Sequence, residues 1–233
     1  MAKNLVLIGG GEIKGWNFQT KDENQDLYQT ENIDKNIVKL TNKENPKLLF
    51  IGTASRENEH YFNAIKNIYS NLGCTTYFLK MTDTDKVNKI LNADIIYIGG
   101  GNTRFMLSEW NKVNLKQTLI EAYNKGTVIS GFSAGTYCWF KYNYEMIEGF
   151  GVIDAIICVH YEDKSEEKIN EFYANIEKTN LPGLALDNGV AIRYTEDYFE
   201  IIKSISTAKA YKITYINNEF IKEELFENIK YTL

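Results

Sequence analysis

The stretch Thr127-Val128-Ile129-Ser130-Gly131-Phe132-Ser133-Ala134-Gly135-Thr136 decides the reading of this chain. An apolar run stops at a glycine, a Gly-x-Ser-x-Gly string follows, and a second apolar run, Tyr137-Cys138-Trp139-Phe140, reads as the start of a helix. A short continuous apolar run ended by glycine fits a strand buried on both faces, as a parallel sheet requires. Three more runs have this form: Leu5–Ile8 before Gly9-Gly10-Gly11, Leu48–Ile51 before Gly52, and Ile95–Ile98 before Gly99-Gly100-Gly101. Helical spacing lies between them. Glu57–Asn71 sets Tyr61, Phe62, Ile65, Ile68 and Tyr69 on one face, and Asn102–Lys125 does so with Phe105, Met106, Leu107, Trp110, Leu119 and Ile120. Strand–helix alternation predicts an α/β fold, a doubly wound and mostly parallel sheet flanked by helices.

Outward from that frame, Gln19–Asn36 is polar and reads as a surface excursion with some helix. Glu167–Lys178 suits a helix. Leu184–Leu186, Val190–Tyr194, Phe199–Ile202 and Lys209–Tyr215 read as short strands, with Asn217-Asn218 as a hairpin turn. These strands are expected to extend the same sheet or to form a small antiparallel layer. Residues 1–233 are read as one domain.

Composition narrows the function. The chain has 233 residues, 26 Lys and Arg against 31 Asp and Glu, and a net charge of −5, which does not give the basic face of a nucleic-acid binder. Cys74, Cys138 and Cys158 form no Cys-x-x-Cys, so neither a zinc site nor a disulfide framework is suggested. No apolar run approaches the ~20 residues that cross a bilayer. The run in the N-terminal MAKNLVLIGGGE is too short for a secretory core, so a cytoplasmic, reducing setting is expected. No metal or cofactor is implied.

In an open α/β sheet, ligands bind beyond the carboxyl ends of the strands, where the glycine corners gather. The first corner, Gly9-Gly10-Gly11-Glu12-Ile13-Lys14, has lysine where a dinucleotide fingerprint needs its third glycine. Its glycines can serve tight turns alone. The second, Gly99–Arg104, ends a strand and opens a helix, so bare backbone N–H groups can face an anion and Asn102 or Thr103 can cap. Arg104 is one of three arginines, with Arg56 and Arg193, and a guanidinium there suits a substrate carboxylate.

The third corner carries a nucleophile. A serine on a strained strand-to-helix turn, flanked by glycines, projects its hydroxyl, and the N–H of Ala134 can donate to an oxyanion. The base must come from two histidines. His60 lies inside a helical pattern, whereas His160 follows the apolar run Ile156–Val159 at a strand's carboxyl end. Asp187, in Leu186-Asp187-Asn188-Gly189, is the expected orienting acid, with Glu162, Asp163 and Glu145 as alternatives.

Together, Tyr97–Thr103, Gly131–Gly135, Val159-His160-Tyr161 and Leu186–Gly189 resemble the peptidase E (aspartyl dipeptidase) family of serine peptidases, within the class I glutamine amidotransferase-like fold. The resemblance implies metal-free hydrolysis of dipeptides with an N-terminal aspartyl residue. It implies a triad of Ser133, His160 and Asp187, with oxyanion donors at Gly101 and Ala134. Asn102 and Arg104 are expected to bind substrate. Many members carry Ser-Asp-Ser after the nucleophile helix, where this chain has Lys141-Tyr142-Asn143-Tyr144-Glu145. A cyanophycinase-like β-aspartyl peptidase and a non-catalytic small-molecule binder stay open as alternatives. The expected partner is a small peptide, with no nucleic acid and no membrane, and a homodimer is compatible with the sequence.

Overall fold

The computed structural model describes residues 3–18 and 26–233. All four glycine-terminated runs are strands. In chain order the first half gives β1 (Asn4–Ile8), α1 (Glu31–Lys39), β2 (Lys47–Ile51), α2 (Glu59–Asn71), β3 (Thr75–Leu79) and α3 (Lys86–Leu91). It continues with β4 (Ile95–Ile98), α4 (Thr103–Lys112), α5 (Leu115–Asn124), β5 (Val128–Phe132) and α6 (Ala134–Tyr137). The rest comprises β6 (Phe140–Asn143), β7 (Ile153–Val159), α7 (Glu166–Thr179), β8 (Gly183–Leu186), β9 (Val190–Tyr194), β10 (Phe199–Lys203), β11 (Ala210–Ile216) and β12 (Glu219–Leu225).

One sheet runs β10-β9-β1-β5-β4-β2-β3, with the last five strands parallel and β9 and β10 antiparallel at one edge. Strand β5 is flanked by β1 and β4, Ile129 opposite both Leu5 and Ile96. This strand is therefore buried from every direction, which is why its residues are apolar or small. Alternation along β1 sends Val6 and Ile8 toward the layer of α1 and α2, and Leu5 and Leu7 toward the other face. That second face packs Met106, Trp110, Leu115 and Leu119 from α4 and α5, together with part of a second sheet.

The C-terminal strands extend the first sheet in part, and in place of the expected small antiparallel layer the others enter a mixed second sheet in which β6, β7 and β8 are parallel and β11 and β12 antiparallel. β9 and β10 extend the first sheet, and β8, β11 and β12 join β6 and β7 in a second sheet ordered β12-β11-β8-β7-β6. Asn217 and Asn218 form the hairpin turn, with φ of 54° and 65°. Two positive φ values in succession match the twist of the flanking strands, and asparagine tolerates them better than most residues do.

Two local expectations are corrected, and β3 is a strand that the sequence pattern did not signal. Residues 102–125 form two helices, because Asn114 takes a left-handed conformation (φ 52°) that breaks the axis and lets α4 and α5 each bury an apolar face. Strand β3 is an edge strand of alternating burial, lacking the continuous apolar run used to find the others. The run Tyr137–Phe140 is not a helix beyond α6. The carbonyls of Cys138 and Trp139 accept from Phe150 and Ile153 N–H (2.6 and 3.0 Å), which draws the chain into β6 beside β7. The 19–25 part of the polar excursion lies outside the described residues, and its C-terminal end forms the start of α1. Among the described residues no helix is long and apolar enough to cross a membrane.

Candidate active site

Strand β5 delivers Ser133 to the carboxyl edge of the first sheet with φ 51° and ψ −104°, outside the regions an L-residue favours. Its flanking glycines are steric necessities. A Cβ on Gly131 would stand 2.2 Å from the Gly135 carbonyl oxygen, and one on Gly135 would stand 2.2 Å from that of Ile98. Neighbouring strands hold the bend: Ser133 N–H donates to Ile8 O (3.2 Å), and the Thr136 hydroxyl lies 2.8 Å from both Ile8 O and Gly131 O. Ala134 opens α6, so its N–H is among those a helix start leaves without an intrahelical acceptor.

His160 ends β7 in a left-handed conformation (φ 52°), and its N–H donates to Gly9 O (3.0 Å). The imidazole thereby meets the serine, with Nε2 2.9 Å from Ser133 Oγ. Burial lowers its pKa from the ordinary 6.5, with nearby Lys164 acting the same way, against the opposing pull of Asn188, Asp163 and Glu12. At neutral pH the ring is uncharged and able to accept a proton.

The partner of Nδ1 is Asn188, whose Oδ1 lies 2.6 Å away. Asp187, the acid expected at this place, is turned aside. Its carboxylate accepts from Lys209 N–H (2.8 Å) while its own N–H donates to Lys209 O (3.0 Å), prolonging the β8–β11 ladder by one residue. Adjacent residues leaving a strand point to opposite sides, so an Asp187 that closes the ladder puts Asn188 over the imidazole. The carboxylates of Glu162 and Asp163 are hydrogen-bonded not to the ring but to Asn188. Glu162 Oε1 accepts its backbone N–H, and Asp163 Oδ2 accepts from its Nδ2 (both 2.7 Å). Glu145 lies in the turn after β6, where its N–H donates to Asn143 Oδ1 (3.0 Å).

The first glycine corner is the frame of this arrangement. Gly9 N–H donates to Val190 O (2.8 Å), and Gly10 O accepts from Gly189 N–H (2.9 Å). Three chain segments, ending β5, β7 and β8, are thus tied to the end of β1.

Beside the elbow lies a cavity of about 400 Å³ lined by Trp16, Phe18, Arg56, Asn58, Gly101 and Asn102, among others. It borders the nucleophile strand through Phe18, whose ring stacks on that of Phe132 (5.3 Å between centroids). Asn102 caps α4, its Oδ1 accepting from Phe105 N–H (2.8 Å), as expected of that corner. Gly100 N–H is taken by the Tyr61 hydroxyl (3.2 Å). Arg104 is exposed on the first turn of α4 and does not line the cavity; the guanidinium there belongs to Arg56, 4.2 Å from the Phe105 ring centroid. Cys138 is buried, and its thiol pKa is pushed up by burial. Among the described residues no group of three or more His, Cys, Asp and Glu is placed to hold a metal ion.

Residues 5–202 match the model of peptidase family S51. The chain belongs to that family. It is a serine-type peptidase, of the peptidase E group and the class I glutamine amidotransferase-like fold. It is 28% identical to the uncharacterized peptidase YgaJ of Bacillus subtilis over 228 residues, covering 93% of this chain and 94% of that one. A probable alpha-aspartyl dipeptidase of Drosophila melanogaster is 22% identical over 215 residues, covering 82% and 83%. The crystal structure of a peptidase from an acI-B1 Actinobacterium superposes with a TM-score of 0.75 at 18% identity, over 100% of this chain and 98% of that one, a likeness of fold.

In this S51 peptidase, sequence reasoning missed Asn188, Gly10 and Arg56. Strand alternation makes either Asp187 or Asn188 a candidate, and only the pairing of β8 with β11 selects between them. Gly10 carried the signal of a positive φ but not of a histidine above it. Arg56 was visible as a scarce arginine, though without a motif to place it.

Proposed function

We propose that this peptidase hydrolyses small peptides, foremost dipeptides with an N-terminal aspartyl residue, through an acyl-enzyme on Ser133. The observation that carries the reading is the 2.9 Å contact between His160 Nε2 and Ser133 Oγ on a strained elbow. Ser133 Oγ bonds to the peptide carbonyl carbon while its proton passes to Nε2, and the carbonyl electrons move onto oxygen. The N–H groups of Ala134 and Gly101 stabilise that oxyanion. Collapse breaks the C–N bond, the imidazolium gives its proton to the departing amine, and water repeats the sequence to release the acid. Asn188 holds the imidazole in place.

The aspartyl preference is supported by the name of the Drosophila relative and by a cation at the cavity. Arg56 replaces Arg104 as the group that meets a substrate carboxylate, with Asn102 beside it. Three unpaired, buried cysteines support a reducing, cytoplasmic setting.

The test is a panel of α- and β-aspartyl dipeptides against purified protein and its Ser133→Ala variant. Hydrolysis of aspartyl dipeptides that disappears in the variant is the expected result, and the panel ranks the two linkages. Turnover retained by Ser133→Ala would overturn the nucleophile, and turnover confined to peptides lacking an aspartyl residue would overturn the preference.

A further inference from the structure

The third place of the site is filled by an amide, and an amide has two ends. Asn188 could offer His160 either its oxygen or its nitrogen. With Oδ1 toward the ring, Nδ1 must carry the proton and Nε2 is left bare to accept from Ser133. With the amide turned over, Nδ2 would donate to Nδ1, the ring proton would move to Nε2, and the serine would lose its base. The ring of a free histidine side chain in water favours that second tautomer, so the protein must reverse an intrinsic preference.

Among the described residues the chain has one device for doing so. Asp163 Oδ2 lies 2.7 Å from Asn188 Nδ2, on the side of the amide away from the ring. A carboxylate accepts and never donates when ionised. Turning the amide over would set Oδ1 against Oδ2, two acceptors at hydrogen-bond distance with no proton between them. Backbone contacts restrict the loop further, since Asn188 N–H is held by Glu162 Oε1 (2.7 Å) and Gly189 N–H by Gly10 O (2.9 Å). The charged groups facing the imidazole are Asp163 and Lys164 from the turn after β7 and Glu12 from the first glycine corner.

We propose that Asp163 is a positioning residue that sets the His160 tautomer, acting through Asn188 without touching the ring. The relay runs from the Asp163 carboxylate to Asn188 Nδ2–H, from Asn188 Oδ1 to the proton on His160 Nδ1, and from bare Nε2 to the Ser133 hydroxyl. It stabilises a growing imidazolium by a polarised amide where a direct carboxylate does so in a Ser-His-Asp site. This inference rests on the Ser133–His160 reading above.

Two readouts test it without knowledge of the substrate: the rate at which a fluorophosphonate labels Ser133, with its pH profile, and the ¹⁵N NMR signals of His160, which report the protonated ring nitrogen. Asp163→Ala is expected to slow labelling by roughly tenfold or more and to move part of the ring proton from Nδ1 to Nε2. The lower limb of its pH profile should move to more acid values, because an anion near the imidazolium is gone. The double variant Asn188→Asp/Asp163→Asn exchanges the two groups while keeping every hydrogen bond, and is expected to recover labelling above Asp163→Ala. Wild-type labelling and an unmoved ring proton in Asp163→Ala would overturn the proposal, as would a double variant no faster than Asp163→Ala. Equal labelling of Ser133→Ala and the unaltered protein would instead overturn the nucleophile, and so separates the two failures.

Discussion

Gly10 lies against the hydrogen bond joining His160 to Asn188: a Cβ at residue 10 would stand 2.2 Å from His160 Cε1 and 2.3 Å from Asn188 Oδ1. Gly10→Ala therefore has to displace the imidazole. A shift of ~1 Å at a reacting group costs about 10²-fold in rate, and that is the loss expected in fluorophosphonate labelling of Ser133. Gly11→Ala is the control. It carries similar backbone strain (φ 128° against 144°), but its nearest neighbour would be Gln29 Cβ at 3.2 Å, not the histidine. Equal losses in the two variants would mean that strain, not displacement, matters.

Asp187→Asn should leave the rate nearly untouched. The new amide oxygen can still accept from Lys209 N–H, and the residue has no hydrogen bond to His160 to lose. A change within about twofold in kcat/KM is expected, as for substitutions away from the reacting groups. A fall of ~100-fold or more would return Asp187 to the role the sequence suggested for it.

Ser133→Gly should be more stable than Ser133→Ala. Both remove the nucleophile, but only glycine adopts φ 51°, ψ −104° without a Cβ penalty. Relief of strain at a functional position is worth ~1–3 kcal/mol, reduced by glycine's greater freedom when unfolded, so a gain of about 1 kcal/mol is expected. Denaturant midpoints compared at equal m-value measure it. An alanine variant as stable as the glycine variant would show that the elbow is unstrained.

Asp34 gives stability a pH dependence of unusual sign. It is buried, accepts from the hydroxyls of Tyr28 (2.9 Å), Thr30 (2.8 Å) and Tyr69 (2.6 Å), and burial raises its pKa from 3.8 to about 6 against those donors. Between pH 4 and 6 the native state holds this proton more tightly than the unfolded chain does. The contribution is complete below the unfolded value and lost as pH rises through about 6, a change on the order of 3 kcal/mol. Relative to Asp34→Asn, the unaltered protein should thus gain stability as pH falls from 7 to 4. A difference independent of pH in urea denaturation would count against this.

Much of the site was legible because its elements are local. Gly131-Phe132-Ser133-Ala134-Gly135 contains the glycines that the elbow's close contacts demand, and the apolar runs at 5–8, 48–51, 95–98 and 128–130 announce strands buried on both faces. Scarcity singled out His160, and the apolar run before it predicted the strand end it occupies. Edge strand β3 escaped because half-burial leaves a weaker pattern, and the helix break at Asn114 escaped because asparagine is also a tolerable helix residue.

By itself the sequence determined which backbones can turn sharply and which side chains can react, since both follow from covalent structure and short-range periodicity. Tertiary structure alone decided which residue holds the histidine. Asp187 and Asn188 are neighbours with similar chemistry, and pairing of β8 with β11 spends the carboxylate on Lys209 while the amide turns to the ring. That choice depends on the register of strands more than 20 residues apart, which no local pattern encodes.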